Sequence, residues 1–184
     1  KFYSLIKSKI ISIAKRKEIK FHNMDSIAAY IDSQLDIKYW ESFYKEVKTF
    51  SPEQAKHWLY AQKASQECKL YSDSFDKIKI ALNYAAIGLR YLQQVNDERI
   101  KMDIIQRVQY ALYKYYGFYE LSTALANRYL GQCHSIGYKL RANSILFHFA
   151  TAFYESGKLS TALRMFRKVV LIAEQNSDVP FMSW

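Results

Sequence analysis

The side chains able to do acid–base or metal chemistry are few and scattered. His22, His57, His134 and His148 are the only imidazoles, and Cys68 and Cys133 the only thiols. A protein metal site needs such ligands a helical turn or a short loop apart. No His-x-x-x-His, Cys-x-x-Cys or helical His-Glu pair occurs. Cys133 and His134 adjoin, but neighbours on a helix point about 100° apart and chelate poorly. Hydrolytic or redox catalysis needs a nucleophile beside a base, or paired carboxylates of tuned protonation. No such set assembles, so no catalytic residue, metal site or cofactor is expected, and the chain reads as non-enzymatic. The Walker and dinucleotide fingerprints are missing from the sequence as well.

Composition limits what can hold these groups in place. Only 5 Gly and 2 Pro occur among 184 residues, and half of the chain is hydrophobic. Phosphate loops and tight hairpins need residues free at positive φ. The chain is therefore expected to be helical, and collagen-like, low-complexity and most glycine-loop nucleotide folds are excluded. Its length suits one domain or a piece of a larger protein, and the start at Lys1 rather than Met leads us to expect flanking segments.

The net charge of +10 is unevenly spread. Residues 1–20 carry Lys1, Lys7, Lys9, Lys15, Arg16, Lys17 and Lys20 against Glu18 alone. Such a patch attracts nucleic acid, anionic lipid or acidic protein through salt-sensitive forces, and its plainer reading is a solvated helix face. The two cysteines, far apart in helical patterns, suit a reducing compartment, so a cytoplasmic location is expected. No apolar run approaches the roughly 20 residues needed to span a bilayer, and no membrane span is expected.

Apolar periodicity and punctuation place the elements. Residues 1–20 form a helix with Phe2, Leu5, Ile6, Ile10 and Ile13, and short helices follow over 25–34 and 38–50. Ser51-Pro52, with Gln54 three residues after the cap, starts a long helix that runs to about Tyr71. Ser72-Asp73-Ser74 ends it and caps the next, over 75–95, with the stripe Ile78, Ala81, Leu82, Ala85, Leu89 and Leu92. Asn96-Asp97 starts a helix carrying Ile104, Ile105, Val108, Ala111, Leu112 and Tyr115, which Gly117 ends. Helices over 119–135, 140–155 and 158–175 follow, separated by Gly137 and by Ser156-Gly157. No stretch alternates with period two, so the fold class is all-α.

The last of these helices repeat. Leu121-Ser122-Thr123-Ala124-Leu125 recurs as Leu159-Ser160-Thr161-Ala162-Leu163, 38 residues on. The same offset superposes Val108, Ala111, Leu112 and Tyr115 on Leu146, Phe149, Ala150 and Phe153. A helix pair cannot cover its own apolar faces, so such units stack, with small residues where backbones approach. Ala124 and Ala162 are expected at those approaches. With Leu146, Ala150, Phe153, Gly157, Ala162 and Phe166 in register, the final unit resembles a tetratricopeptide repeat, although Val169 and Glu174 stand where that family prefers Ala and Pro. The preceding unit keeps Tyr115 and Ala124 but has Leu112 and Arg128 at two other motif positions, with Gly117 displaced by two residues. The resemblance covers 104–177, extends weakly over 51–95, and omits 1–50.

That resemblance implies a right-handed α-α superhelix of stacked hairpins, a solenoid with repeats at about 51–95, 97–135 and 139–177 within 51–184, preceded by a basic helical segment over 1–50. The long units are similar to the diverged repeats of bacterial regulators, such as peptide-pheromone receptors of the Rap and PlcR kind. In the family the first helix of each unit lines a peptide groove. Its register carries over to Ser144, Phe147, Thr151 and Tyr154, and through the 38-residue offset to Gln106, Gln109, Tyr113 and Tyr116. Amides and hydroxyls suit a peptide backbone and rings supply apolar contact; a plain solvated face is the equal alternative. Phe147 and Thr151 replace two residues of the clamp that binds acidic chaperone tails, so that partner is not expected.

Tyr110, Tyr113, Tyr115, Tyr116 and Tyr119 crowd one helix end, which suggests either stacking on nucleic-acid bases or packed stems with surface phenols. The expected function is protein or peptide binding, as the interaction or sensing region of a bacterial regulatory protein. The rival is nucleic-acid binding through Lys7, Lys9, Lys15, Arg16, Lys17 and Lys20, with the repeats as scaffold. The oligomeric state stays open, a homodimer included.

Overall fold

In the computed structural model residues 24–35, 40–135 and 139–175 are described, with Ser8, Ile11, Ser12 and Lys15 as single positions before them. Every regular element among them is helical. In chain order these are α1 (Met24–Leu35), α2 (Trp40–Val47), α3 (Pro52–Tyr71), a 3-10 turn (Phe75–Lys77), α4 (Ile78–Leu92), α5 (Glu98–Lys114), α6 (Tyr119–Ser135), α7 (Lys139–Glu155) and α8 (Leu159–Gln175). The all-α reading is therefore correct for the described residues. The expected break at Gly137, and the expected helix over 1–20 apart from the four single positions, lie outside them.

Local chemistry explains the helix starts. The Ser51 hydroxyl accepts from Gln54 N at 3.1 Å while Gln54 Oε1 accepts from Ser51 N at 2.9 Å, a reciprocal cap in front of Pro52. The Asp97 carboxylate accepts from Ile100 N at the start of α5. Asp32, on α1, caps the next helix from outside it, accepting from Trp40 N and Glu41 N at 2.8 and 2.9 Å. The Ser72-Asp73-Ser74 cluster behaves differently from expectation. Ser74 makes no side-chain cap, the 3-10 turn intervenes before α4, and the buried Ser72 hydroxyl donates back to Lys69 O.

Small residues line the contact between α3 and α4. The buried stripe of α3 is Ala55, Trp58, Ala61, Ala64 and Cys68, and that of α4 is Ile78, Ala81, Ala85 and Gly88. With so little side chain between them α3 and α4 pack intimately, and Gly88 of α4 faces both α3 and Ile104 of α5. A Cβ there would lie 2.6 Å from Ile104 Cδ1 and 3.3 Å from Ala64 Cβ. Gly88→Val is expected to destabilise the chain by about 2 kcal/mol or more, because overpacking a filled site forces side chains off rotamer. Gly88→Ala should cost less, since Ala recovers up to about 1 kcal/mol of helix propensity. Urea denaturation of both variants checks the order; Val tolerated as well as Ala would contradict the close approach.

The contact pattern is sequential. α3 packs on α4, α5 on α6, and α7 on α8; in addition α5 meets both α3 and α4, and α7 meets both α5 and α6. Two apolar cores result. One joins residues of α1 to α5, including Trp40, Phe43, Trp58 and Ile104; the other gathers Met102, Ala126, Cys133, Ala142 and Ile145.

The register between the last two hairpins differs from the expected 38 residues. Gly117 and Gly157, 40 apart, are the two positive-φ glycines among the described residues, at 65° and 78°. At Gly157 the helix closes with Gly157 N–H donating to Tyr154 O and Lys158 N–H to Phe153 O, a paired motif that a left-handed glycine permits. Near Gly117, Phe118 N–H reaches one residue further back, to Leu112 O. Of the repeated pentapeptides, Ala162 is buried while Ala124 is exposed, and Ser122 is buried while Ser160 is exposed. Ala124 therefore does not fill the close approach assigned to it. Ser122, 40 residues before Ala162, is buried on α6 along with Ala126, and its hydroxyl donates to Gln109 O.

Candidate functional site

Gln106, Gln109 and Tyr113 are buried and cannot line an open groove as α5 was expected to do. The α5–α7 contact covers them, and they serve it as hydrogen-bonding groups. Gln109 Nε2 donates to Ile145 O at 3.3 Å, and Arg141 donates to Gln106 Oε1 at 2.8 Å. Gln106 Nε2 lies 2.6 Å from His148 Nε2, and Tyr113 Oη lies 2.7 Å from His148 Nδ1. Because the Gln106 oxygen is committed to Arg141, its amino group faces the imidazole and His148 Nε2 must accept. The proton is thus on Nδ1, donated to Tyr113 Oη. Arg141 also pairs with Asp103 at 2.7 Å.

This network fixes the protonation of its members. Burial, with the Arg107 and Arg141 charges adding to it, pushes the His148 imidazole down to about 4. A second proton on Nε2 would also confront the Gln106 amino group. Burial likewise raises the Tyr113 phenol, pushes the Cys68 thiol up to about 11 and pushes Cys133 up to about 12. Both thiols are protonated at neutral pH and make poor nucleophiles. Nothing in the structure explains why the buried Asn143 amide and Gln109 Oε1 have no hydrogen-bond partner. Among the described residues no group of three His, Cys, Asp or Glu could hold a metal ion, and no helix is long and apolar enough to cross a membrane.

The other groove positions stay at least partly accessible. Ser144, Phe147 and Thr151 are half-buried, Tyr154 is exposed and Tyr116 is half-buried. The Phe147 ring meets Phe166 and His148, Tyr116 stacks on Phe118, and the Thr151 hydroxyl donates within its own helix to Phe147 O. The tyrosine cluster is packed rather than splayed: Tyr110 meets Tyr113, Tyr115 and His148 edge to face, with centroids 5.4–5.7 Å apart. Of the basic patch, Lys15 is described and exposed, while Lys7, Lys9, Arg16, Lys17 and Lys20 lie outside the described residues.

An open groove lies elsewhere, at the end where the Gly117 and Gly157 turns sit. It encloses about 880 Å³ between the start of α6 and the α7–α8 turn, and Phe118, Leu121, Thr123, Phe153, Ser156 and Lys158 are among its walls. Phe118 and Leu121 are 54% and 57% exposed, large apolar side chains left to solvent beside a concavity. The buried set of α6 is Ser122, Ala126 and Cys133, which turns Leu121 outward. A core assigned by small residues would have revealed it.

Comparison with protein-family models, with curated proteins and with solved structures finds no match to this chain.

Proposed function

We propose that the chain is a protein- or peptide-binding module without an enzymatic centre of its own, a right-handed superhelix of stacked α-hairpins that serves as the interaction or sensing region of a regulatory protein of the bacterial kind. The single observation that carries this reading is the open apolar groove at the turn end. It pairs exposed Phe118 and Leu121 with the polar Thr123, Ser156 and Lys158. Apolar anchors in a concavity with a few polar groups on its walls are what a peptide segment needs for affinity and register. The sequential helix contacts support the superhelix, since each hairpin leans on the next. The protonated thiols and the locked His148 support the non-enzymatic part.

Selection of a displayed short-peptide library on the immobilised chain tests the groove. Peptides with apolar anchors are expected, and Leu121→Asp or Phe118→Asp should weaken them by about tenfold or more, the size of a hot-spot loss. Unchanged binding in both variants would remove the groove reading. The rival is nucleic-acid binding through the basic patch, which the charge of residues 1–20 favours. It requires low-salt binding that neutralising Lys15, Arg16 and Lys17 abolishes.

A further inference from the structure

α7 packs on both α6 and α8 and floors a second concavity between them, about 290 Å³ in volume. Leu130, Leu146 and Ile172 give it apolar walls, one from each helix. Asn143 of α7 lies among them, 1% exposed, and both polar atoms of its amide are buried without a hydrogen-bond partner. Stranding an amide in this way costs the full price of taking it out of water, and such a group points to a partner that the chain does not itself supply. Lys168 of α8 lines the same space, is exposed, and forms no ion pair with a described residue. No carboxylate is among the described residues of the lining.

These groups define a ligand. An amide offers one acceptor and two donors, so its complement is a group that both accepts and donates, as another amide does. An uncompensated cation beside the space selects an anion, and the three apolar walls select a branched hydrocarbon. We propose that this concavity binds a small aliphatic carboxylate carrying an amide, of the class of N-acylated branched-chain amino acids. The ligand carbonyl accepts from Asn143 Nδ2, its N–H donates to Asn143 Oδ1, and its carboxylate meets Lys168. A simple fatty acid would leave Asn143 Oδ1 without a donor, and an amine would confront Lys168. The same chemistry is presented by the last residue of a peptide with a free carboxyl end.

This site shares no described lining residue with the groove at the Gly117 and Gly157 turns and does not rest on the peptide-binding reading of that groove. The test is calorimetric titration of the whole chain with N-acetyl-leucine. It is expected to bind about tenfold more tightly than isocaproate, which lacks the amide, and about threefold more tightly than N-acetyl-leucinamide, which lacks the charge. Asn143→Leu should abolish the advantage over isocaproate. The same variant should raise the urea midpoint of the free chain, since it removes a stranded polar group at nearly constant volume. Lys168→Gln, an exposed change, should abolish only the preference for the carboxylate. Leu121→Asp, in the other groove, should leave binding unchanged. An acetylated oligoalanine ending in a free leucine separates the two sources: tighter binding than N-acetyl-leucine assigns the site to a peptide end, weaker binding to a free small molecule. No detectable binding of N-acetyl-leucine, N-acetyl-isoleucine or N-acetyl-valine overturns the proposal, as does N-acetyl-leucine binding that Asn143→Leu leaves unchanged.

Discussion

Asp97→Ala is expected to lower stability by about 3 kcal/mol, adding the roughly 1 kcal/mol of a lost N-cap to the roughly 1–3 kcal/mol of stranding a buried donor. The stranded donor is Trp58 Nε1, which gives its hydrogen to Asp97 Oδ2 at 2.7 Å, while Oδ1 caps α5 at Ile100 N. Both Trp58 and Asp97 are buried, so water cannot take over the indole N–H. Trp58 in turn stacks on Phe43 of α2, with ring centroids 5.7 Å apart. One carboxylate therefore fixes the start of α5 and the orientation of the ring that joins α2 to α3. Asp97→Asn keeps a capping oxygen but turns an amino group toward the indole, so it should fall between wild type and Ala. Chemical denaturation of the two variants settles the order. A loss under about 0.5 kcal/mol for Ala, the size of an ordinary surface change, would show that the pair is not structural.

Acid is expected to unfold the chain through His148. Its folded-state value is pushed down to about 4, against an ordinary 6.5. Above pH 6.5 the imidazole is neutral folded or unfolded, and the group adds no pH dependence. Between pH 6.5 and 4 the unfolded chain takes up a proton that the folded chain refuses, so stability falls as pH falls. The span is worth about 3 kcal/mol at about 1.4 kcal/mol per pKa unit. Thermal melts from pH 7 to 4 should show the decline. His148→Gln should be less stable at pH 7, having lost its bonds to Gln106 and Tyr113, yet should have a flatter profile over the same window. A slope unchanged by that variant would place the acid sensitivity elsewhere.

Helix positions were legible because their signals are local. Ser51 with Gln54, Asp97, Gly117 and Gly157 each do in the structure what their residue type does in isolation: accept a backbone N–H, or tolerate positive φ. The stripe Ile78, Ala81 and Ala85 is buried as its period requires. What the sequence concealed depends on neighbours. Gln106 and Gln109 read as solvent-facing amides, and only the arrival of His148, Arg141 and Ile145 from α7 makes them interior. The identical pentapeptides suggested a spacing of 38, whereas the two turn glycines are 40 apart. The groove positions carried onto α5 are interior because α7 packs over them, whichever offset is used: the 40-residue spacing takes Thr151 to Ala111, which is buried as well. Exposed Leu121 was hidden for the same reason, because its apolar character says nothing about which way α6 is rotated.

α5 contributes Ile100, Ile104 and Ala111 to one apolar core and Met102 to the other. A helix lined on two sides in this way cannot melt until both halves have let go, so it couples them into a single cooperative unit and its amide hydrogens are the last to exchange with solvent. A substitution on α5 is therefore expected to be felt in both halves at once. Among the described residues α8 packs mainly on α7, so its amides are expected to exchange sooner than those of α5.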